Sequence, residues 1–283
     1  MRVFDSVSTW KAYRPELNGR IGLVPTMGAL HEGHLSLVRK ARQENDLVVV
    51  WVFVNPKQFN ENDDFSNYPR DLNRDLAMLE AEGVDYVLAP TVDQVYPQGF
   101  QTYVNVEGLT EPLEGIHRPG HFRGVTTVVA KMLCLTQCTH AYFGQKDAQQ
   151  SIVVSQMAAD LDMLTKIVVC PTVREPDGLA MSSRNALLTE QDRKAAGVIY
   201  KALKDTNTAL GCGERSGEVL RKRLHDFLAR EPRVEVEYVS VASPKTLHEY
   251  DTVTGEVLAS VAVKIGRVRL IDNFLIPLED TPK

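Results

Sequence analysis

Two histidines near the start of the chain, His31 and His34, have a spacing that suits the binding of an anion. They follow an apolar, strand-like run at residues 20–24 and a turn that contains Pro25 and Gly28. A helix is predicted to begin after this turn, and side chains at positions i and i+3 lie on the same side of a helix. The first turn of a helix exposes unpaired backbone N–H groups and carries a partial positive charge, which attracts anions. Two imidazole donors at that place indicate a nucleotide phosphate site, whereas a zinc site needs a third ligand and a different spacing.

Two further segments could bind phosphate. Lys146 and Asp147 lie where an apolar run gives way to a helical pattern, so the lysine would place a positive charge near a helix N-terminus; Asp147 is also a good N-cap residue. Residues 174–185 are polar and contain Ser182 and Arg184. Hydroxyl and guanidinium groups can clamp a triphosphate as a mobile segment closes, although a serine-rich linker is an alternative interpretation.

Other polar residues permit either a substrate role or a purely structural one. Asn55 and Gln58 follow a buried apolar run, and their amides could bind a hydroxy acid, but an ordinary loop would explain them as well. The segment 117–124 combines two His, two Arg and two Gly, which suits carboxylate or phosphate recognition or a polar contact between subunits. Asp75, on a predicted helix, could touch a metal ion, although a solvated carboxylate is the favoured interpretation.

The elements that must position these residues alternate between strands and helices in the first two-thirds of the chain. Strand-like runs occur at residues 20–25, 46–55, 85–90, 140–144 and 165–171, and helical patterns occur at 35–44, 72–82, 125–135 and 149–161. This alternation predicts an α/β fold, a Rossmann-like parallel sheet with helices on both faces. Polar motifs that directly follow parallel strands are expected to converge at the carboxyl edge of the sheet.

The pattern changes after residue 184. Thr189 is a good N-cap for a helix that is predicted to reach about residue 210, and a second amphipathic helix is predicted at 216–230. Alternating runs at 234–241, 257–265 and 268–276 predict antiparallel strands. We therefore predict two domains, residues 1–184 and a smaller α+β domain at residues 185–283.

Composition restricts the class of protein. The chain has 283 residues, 43% of them hydrophobic and 24% charged, as in an ordinary globular protein. A net charge of −5 without a basic run lowers the expectation of nucleic-acid binding, and the longest apolar run, residues 47–54, is too short to span a bilayer. The N-terminus lacks a signal-peptide pattern, and the four cysteines form no CxxC pair. We therefore expect a cytoplasmic protein with reduced thiols and no membrane partner.

Taken together, the motifs resemble those of the pantothenate synthetase (pantoate–β-alanine ligase) family, and the likeness covers nearly the whole chain. The runs that carry it are PTMGALHEGH, FVNPKQF, YPRD, RPGHFRGV, FGQKDAQQ, DGLAMSSRN and RLIDN. More widely, the chain is similar to HxGH nucleotidyltransferases, with MSSR in the place of their KMSKS-like loop. The resemblance implies a Rossmann-like ATP domain, a C-terminal lid domain and a homodimer. It also implies that ATP and Mg²⁺ activate (R)-pantoate as pantoyl adenylate, which β-alanine converts to pantothenate and AMP.

The resemblance also implies roles for individual residues. It assigns His34 as proton donor, and the charge that develops during adenylation requires further catalytic donors, for which His31, Lys146, Ser182 and Arg184 are the candidates. ATP would be bound by Met27, Gly28, Ala29, Leu30, His31, Glu32, Gly33, His34, Gly144, Gln145, Lys146, Asp147, Val173, Met181, Ser182, Ser183 and Arg184. Gln58 and Gln150 would bind pantoate, and Gln58 would also face β-alanine; no residue is assigned to a metal ion. Many relatives have Glu in the place of Gln145, which changes the local charge on the ATP side.

Two alternatives remain open from the sequence. One is another HxGH-type nucleotidyltransferase, such as an enzyme that releases a dinucleotide. The other is a nucleotide-binding regulator without catalytic activity. A full set of charge-stabilising groups at several strand ends favours an enzyme, since a protein that only binds a nucleotide does not need them.

Overall fold

The first of two compact units in this computed structural model is built on a six-stranded parallel sheet with the strand order β1-β4-β3-β2-β5-β6. The structure describes residues 1–59, 65–66 and 68–278. The strands are β1 (Arg2–Phe4), β2 (Ile21–Thr26), β3 (Leu47–Val52), β4 (Tyr86–Leu88), β5 (His140–Gly144) and β6 (Lys166–Cys170). Five of them occupy the predicted runs. β1 was not predicted, since three residues with only Phe4 buried give no detectable alternation.

Helices cover both faces of this sheet. They are α1 (Val7–Tyr13), α2 (Glu32–Glu44), α3 (Leu72–Ala81), α4 (Val92–Val95), α5 (Glu114–His117), α6 (His121–Thr136) and α7 (Ala148–Asp160). Alternate residues of β3 face opposite sides, so Val49 and Trp51 pack in one apolar cluster with α6, and Val48 and Val50 pack in another with α2 and α3. The α/β prediction, with helices on both faces, is confirmed.

In the part of the chain that the structure describes, the second unit combines three α-helices with a three-stranded antiparallel sheet. Its elements are α8 (Glu190–Ala196), α9 (Val198–Gly211), α10 (Gly217–Leu228), β7 (Val234–Ala242), β8 (Val257–Ile265) and β9 (Val268–Ile276). The single helix predicted from Thr189 to about residue 210 is wrong, because the chain forms two helices that meet at Gly197. Glycine is a poor helix former, and a Cβ at this position would lie 3.3 Å from Oδ2 of Asp177.

Contacts within the chain group residues 1–145 and 149–171 in the first unit, and residues 146–148 and 172–283 in the second. Residues 172–184 thus lie with the C-terminal elements, since Arg174 forms a two-pronged ion pair with Asp272 of β9. The domain boundary after residue 184 stays a prediction. None of the helices that the structure describes has the length and apolar character needed to cross a membrane.

Candidate active site

His31 and His34 cap the first turn of α2 with their own side chains. His31 is the N-cap residue, and its Nδ1 accepts a hydrogen bond from the backbone N–H of Gly33 at 3.1 Å. The Nδ1 of His34 accepts from the backbone N–H of His31 at 3.4 Å, so the two histidines form a reciprocal capping box. Their ring centroids lie 4.1 Å apart. The prediction that both histidines stand at a helix opening and face the same way is confirmed.

This capping arrangement fixes the tautomer of both rings. A nitrogen that accepts a backbone N–H carries a lone pair, so each neutral imidazole has its proton on Nε2. Nε2 is therefore the N–H donor of each ring, at the end of α2 where the helix dipole is positive. The intervening Glu32 is directed elsewhere, because its carboxylate pairs with Arg39.

The side chain of Asp75 stabilises the turn between β2 and α2. The Asp75 carboxylate accepts hydrogen bonds from the backbone N–H groups of Ala29 at 2.9 Å and Leu30 at 2.8 Å. Gly28 and Ala29 have positive φ values of 79° and 51°, and a Cβ at Gly28 would lie 2.9 Å from Oδ2 of Asp75. Asp75 is only 1% exposed, so its interpretation as a solvated carboxylate was wrong: it binds backbone N–H groups of a strained turn. Burial raises the pKa of this carboxyl group above its ordinary value.

Gln58 lies within reach of the same turn. Its Nε2 is 3.2 Å from Sδ of Met27, and its Oε1 accepts a hydrogen bond from Nδ2 of Asn55 at 3.0 Å. The amide of Asn55 is fixed in turn, since its Oδ1 accepts from the hydroxyl of Tyr96 at 2.8 Å. Asn55 and Gln58 are both buried, so neither is part of an ordinary solvated loop. The motifs that follow β2 and β3 thus meet at the carboxyl ends of these strands, as predicted.

The segment 117–124 packs on the backbone of the 3₁₀ helix Pro56–Gln58. A Cβ at Gly124 would lie 2.1 Å from the carbonyl oxygen of Lys57, so only glycine permits this approach of α6. The carbonyl of Gly124 accepts a hydrogen bond from Nδ2 of Asn55 at 3.1 Å. This segment therefore supports the region around Gln58, a role that its composition did not reveal.

Two neighbouring glutamines at the start of α7 differ in their surroundings. Gln149 is buried and supports residues 109–114, because its Nε2 donates to the carbonyls of Leu109 at 2.9 Å and Pro112 at 2.8 Å. Gln150 lies half-buried in the first turn of the same helix. Gly144 ends β5, and Gln145 begins the 3₁₀ helix that precedes α7. The pantoate-binding role of Gln150 stays a prediction.

In the second unit, β9 holds the backbone of Lys146. Nδ2 of Asn273 donates to the carbonyl of Lys146 at 2.9 Å. Asn273 is fixed by Asp272, whose Oδ1 accepts from the Asn273 backbone N–H at 2.8 Å and whose carboxylate binds Arg174. The Lys146 ammonium lies 3.4 Å from Oδ1 of Asp147. The RLIDN run, which the sequence offered without a role, thus positions the lysine backbone.

The segment 173–184 forms a tight hairpin-like loop in the second unit. The backbone N–H of Met181 donates to the carbonyl of Val173 at 3.0 Å, so two residues assigned to ATP are adjacent. Gly178 at the tip has φ +93°, and a Cβ there would collide with the ring of Tyr200. Ser182 then caps the 3₁₀ helix Ser183–Leu187, its Oγ accepting from the backbone N–H of Arg184 at 3.2 Å. This loop is held in a defined conformation by its own hydrogen bonds.

The first unit has a parallel sheet, a strained turn and a histidine-capped helix. These features are typical of nucleotide-binding α/β proteins of the HxGH class. The sequence profile of the pantoate-beta-alanine ligase family matches residues 2–275. The chain therefore belongs to the pantoate–β-alanine ligase family.

Individual relatives agree with this assignment. Pantothenate synthetase of Chloroflexus aggregans is 56% identical over 277 residues, which cover 98% of this chain and 100% of that protein. The crystal structure of pantothenate synthetase from Thermus thermophilus is similar with a TM-score of 0.92 and 45% identity, covering 97% of this chain and 99% of that one. Pantoate-beta-alanine ligase from Francisella tularensis, complexed with beta-gamma ATP and beta-alanine, has a TM-score of 0.81 and 37% identity, with 97% of each chain covered.

Proposed function

We propose that this protein condenses (R)-pantoate with β-alanine to form pantothenate, at the expense of ATP and through a pantoyl adenylate. Membership of the pantoate–β-alanine ligase family supports this activity, as does the ATP and β-alanine complex of the Francisella tularensis relative. The observation that carries the proposal is the contact between Gln58 and Met27. It places an amide suited to a hydroxy acid beside the turn that leads into the histidine-capped helix.

In the first half-reaction, a pantoate carboxylate oxygen attacks the α-phosphorus of ATP. A new O–P bond forms, and the bond to pyrophosphate breaks. Negative charge develops on the phosphoryl oxygens and on the leaving group, so the site must supply donors that are already in place. We assign this work to the Nε2–H groups of His31 and His34 and to the side chains of Lys146, Ser182 and Arg184.

In the second half-reaction, the amine of β-alanine attacks the acyl carbon of pantoyl adenylate. The C–N bond forms, the C–O bond to AMP breaks, and the amine loses a proton to solvent. No serine or cysteine nucleophile is required, because a substrate carboxylate attacks in the first step. We assign pantoate to Gln58 and Gln150 and β-alanine to Gln58, whose two-sided amide can donate and accept.

The remaining assignments concern ATP and its metal ion. In the first unit we assign to ATP the residues of the turn and of the helix start, Met27, Gly28, Ala29, Leu30 and Gly33. We also assign to ATP three further residues of the first unit, Glu32, Gly144 and Gln145, and four of the second, Asp147, Val173, Met181 and Ser183. Mg²⁺ would enter as part of the MgATP substrate, held by phosphate oxygens and water. We assign it no protein ligand, and within the described ranges no group of three or more His, Cys, Asp and Glu side chains could hold a metal ion.

We further propose that the protein acts as a cytoplasmic homodimer. The family resemblance supports the dimer, and the four free cysteines suit a reducing compartment. Sedimentation velocity over a range of protein concentrations tests the dimer directly. A single species with the mass of one 31.6 kDa chain at all concentrations would reject it.

Formation of AMP that requires both pantoate and β-alanine tests the proposed function. Pantoate labelled with ¹⁸O in its carboxylate should transfer one ¹⁸O atom to AMP, because the bridging oxygen of the adenylate stays with phosphorus when the acyl C–O bond breaks. Without β-alanine, pantoate should still support exchange of pyrophosphate into ATP. A nucleotidyltransferase that forms a dinucleotide would release no free AMP, and a regulator would bind ATP without turnover; either result would reject the proposal.

A further inference from the structure

The backbone carbonyl of Gln58 is held by two side chains of the segment 117–124. Nδ1 of His121 lies 2.8 Å from this carbonyl oxygen, and Nη2 of Arg118 donates to it at 3.2 Å. His121 is 6% exposed and Gln58 is 8% exposed, so the contact is shielded from solvent. His121 belongs to no group that we have assigned to ATP, pantoate or β-alanine.

Two contacts of the His121 ring indicate which of its nitrogens donates to Gln58. A carbonyl oxygen only accepts hydrogen bonds, so Nδ1 of His121 must carry the proton that it donates to Gln58. A guanidinium group only donates, so Nε2 must accept from Nη1 of Arg118, which lies 3.2 Å away. These two contacts place a proton on Nδ1 of His121, where it is donated to Gln58. Arg118 also lies 3.8 Å from the carboxylate of Glu114, which balances its charge.

This carbonyl needs a partner because of its place in the chain. Gln58 is the last residue of the short 3₁₀ helix Pro56–Gln58, and carbonyls at a helix end have no partner within the helix. Leaving such a group buried without a partner destabilises the local conformation. His121 satisfies the backbone of Gln58, while Asn55 fixes its side-chain amide. Both the backbone and the side chain of Gln58 are thus held by hydrogen bonds, which favours one orientation of the amide.

We infer that His121 is a positioning residue for pantoate, which acts by holding the carbonyl of Gln58 so that the Gln58 amide is set for the substrate. The inference rests on the proposed function, in which Gln58 binds pantoate. It gives the RPGHFRG run a role that does not require contact with a substrate. Loss of the imidazole donor should leave the packing of α6 in place and weaken the hold on the Gln58 carbonyl, with Arg118 as its remaining side-chain donor.

Two variants, one that loses the ring and one that loses the hydrogen-bond donor, test the inference. His121→Asn keeps an N–H donor near the place of Nδ1 but loses the ring, whereas His121→Phe keeps the ring volume but loses the donor. We expect His121→Phe to raise the KM for pantoate about ten- to a hundredfold, with the KM for ATP within about twofold of the wild type, and His121→Asn to restore most of the pantoate affinity. His117→Ala, at an exposed histidine of the same segment, is the control and should leave both constants unchanged.

The opposite order would overturn the inference. If His121→Asn were worse than His121→Phe, or if both KM values rose together, the ring would serve packing alone. Should His121→Phe fail to fold, Arg118→Met at the half-buried partner removes the other donor to Gln58 and must also raise the KM for pantoate selectively; an unchanged KM would reject the inference. A wild-type enzyme that forms no pantoate-dependent AMP would instead reject the proposed function, so the two failures can be told apart.

Discussion

The buried carboxylate of Asp75 accepts a hydrogen bond from the backbone N–H of Leu30 at 2.8 Å, across a separation of 45 residues in the sequence. A second bond, from Ala29, uses the other carboxylate oxygen. Ala29 has a positive φ, which costs conformational energy in any residue other than glycine. The carboxylate thus stabilises a strained turn that places His31 and His34 at the start of α2.

Replacement of this carboxylate should impair the turn more than the fold. Asp75→Asn leaves one acceptor and sets an amide N–H against a backbone N–H, so we expect kcat/KM for ATP to fall about ten- to a hundredfold. Steady-state kinetics with varied ATP measures the loss. Asp71→Asn, on the exposed N-cap of the same helix, removes an equal charge and should have little effect, because Asn is also a good N-cap. Equal losses in the two variants would assign the effect to charge alone.

The raised pKa of Asp75 also predicts how stability depends on pH. The carboxyl group keeps its proton in the folded chain at pH values where the unfolded chain has already lost it, so the folded state binds more protons. The free energy of unfolding should therefore fall as the pH rises from about 3.8 through the raised pKa, relative to Asp75→Asn. Urea unfolding of both proteins between pH 4 and 8 gives this difference, in which other titrating groups cancel. A difference that is independent of pH, or that grows in favour of the wild type, would contradict the prediction.

The two histidines of α2 cap the helix, and substitution can separate this structural role from the chemical role that we propose for them. His31→Asn retains a good N-cap but removes the Nε2–H donor. We expect an unfolding free energy within about 1 kcal/mol of the wild type, together with a large loss of pantoate-dependent ATP–pyrophosphate exchange. His34→Ala should lower the exchange rate at least ~100-fold, the scale of one lost charge-stabilising donor. Near-normal exchange in both variants would show that the histidines only cap the helix.

Gln58 provides a test of substrate assignment. Gln58→Ala should weaken the binding of pantoate more than that of ATP, because we assign the Gln58 amide to pantoate. Isothermal titration with each ligand measures both affinities. A fall in the affinity for ATP alone would reject the pantoate role.

Long strands could be predicted from the sequence, whereas a short strand and a break within a helical pattern could not. β8 and β9 begin and end at the predicted residues, because apolar residues recur along both nine-residue strands and a turn at Gly266 lies between them. β1 escaped prediction because it relies on pairing with β4, a partner 84 residues away at its first contact. The interruption at Gly197 was not predicted although glycine is a poor helix former, because a single glycine does not by itself end a helix.

The same distinction applies to the candidate site. The histidine pair was predictable because helix capping and anion binding depend on residues close in sequence. Asp75 was misinterpreted because its partners, Ala29 and Leu30, are backbone groups of a distant turn. Burial of a carboxylate becomes visible only in the folded chain. A partial signal existed, since a turn with Gly28 at its centre needs backbone partners from elsewhere.

Lys146 offers the last test, through its contact with Asn273 of β9. If Asn273 acts by holding the Lys146 carbonyl, Asn273→Ala should slow adenylate formation about tenfold in the wild-type background but less than about twofold in a Lys146→Ala background. Lys146→Ala alone should lower the rate at least ~100-fold. Single-turnover formation of pantoyl adenylate in the four proteins of the cycle measures the coupling. Ser260→Ala, at the buried residue paired with Asn273 on β8, controls for packing and should lower the rate by the same factor in both backgrounds. If Asn273→Ala did the same, Asn273 would stabilise the sheet without positioning Lys146.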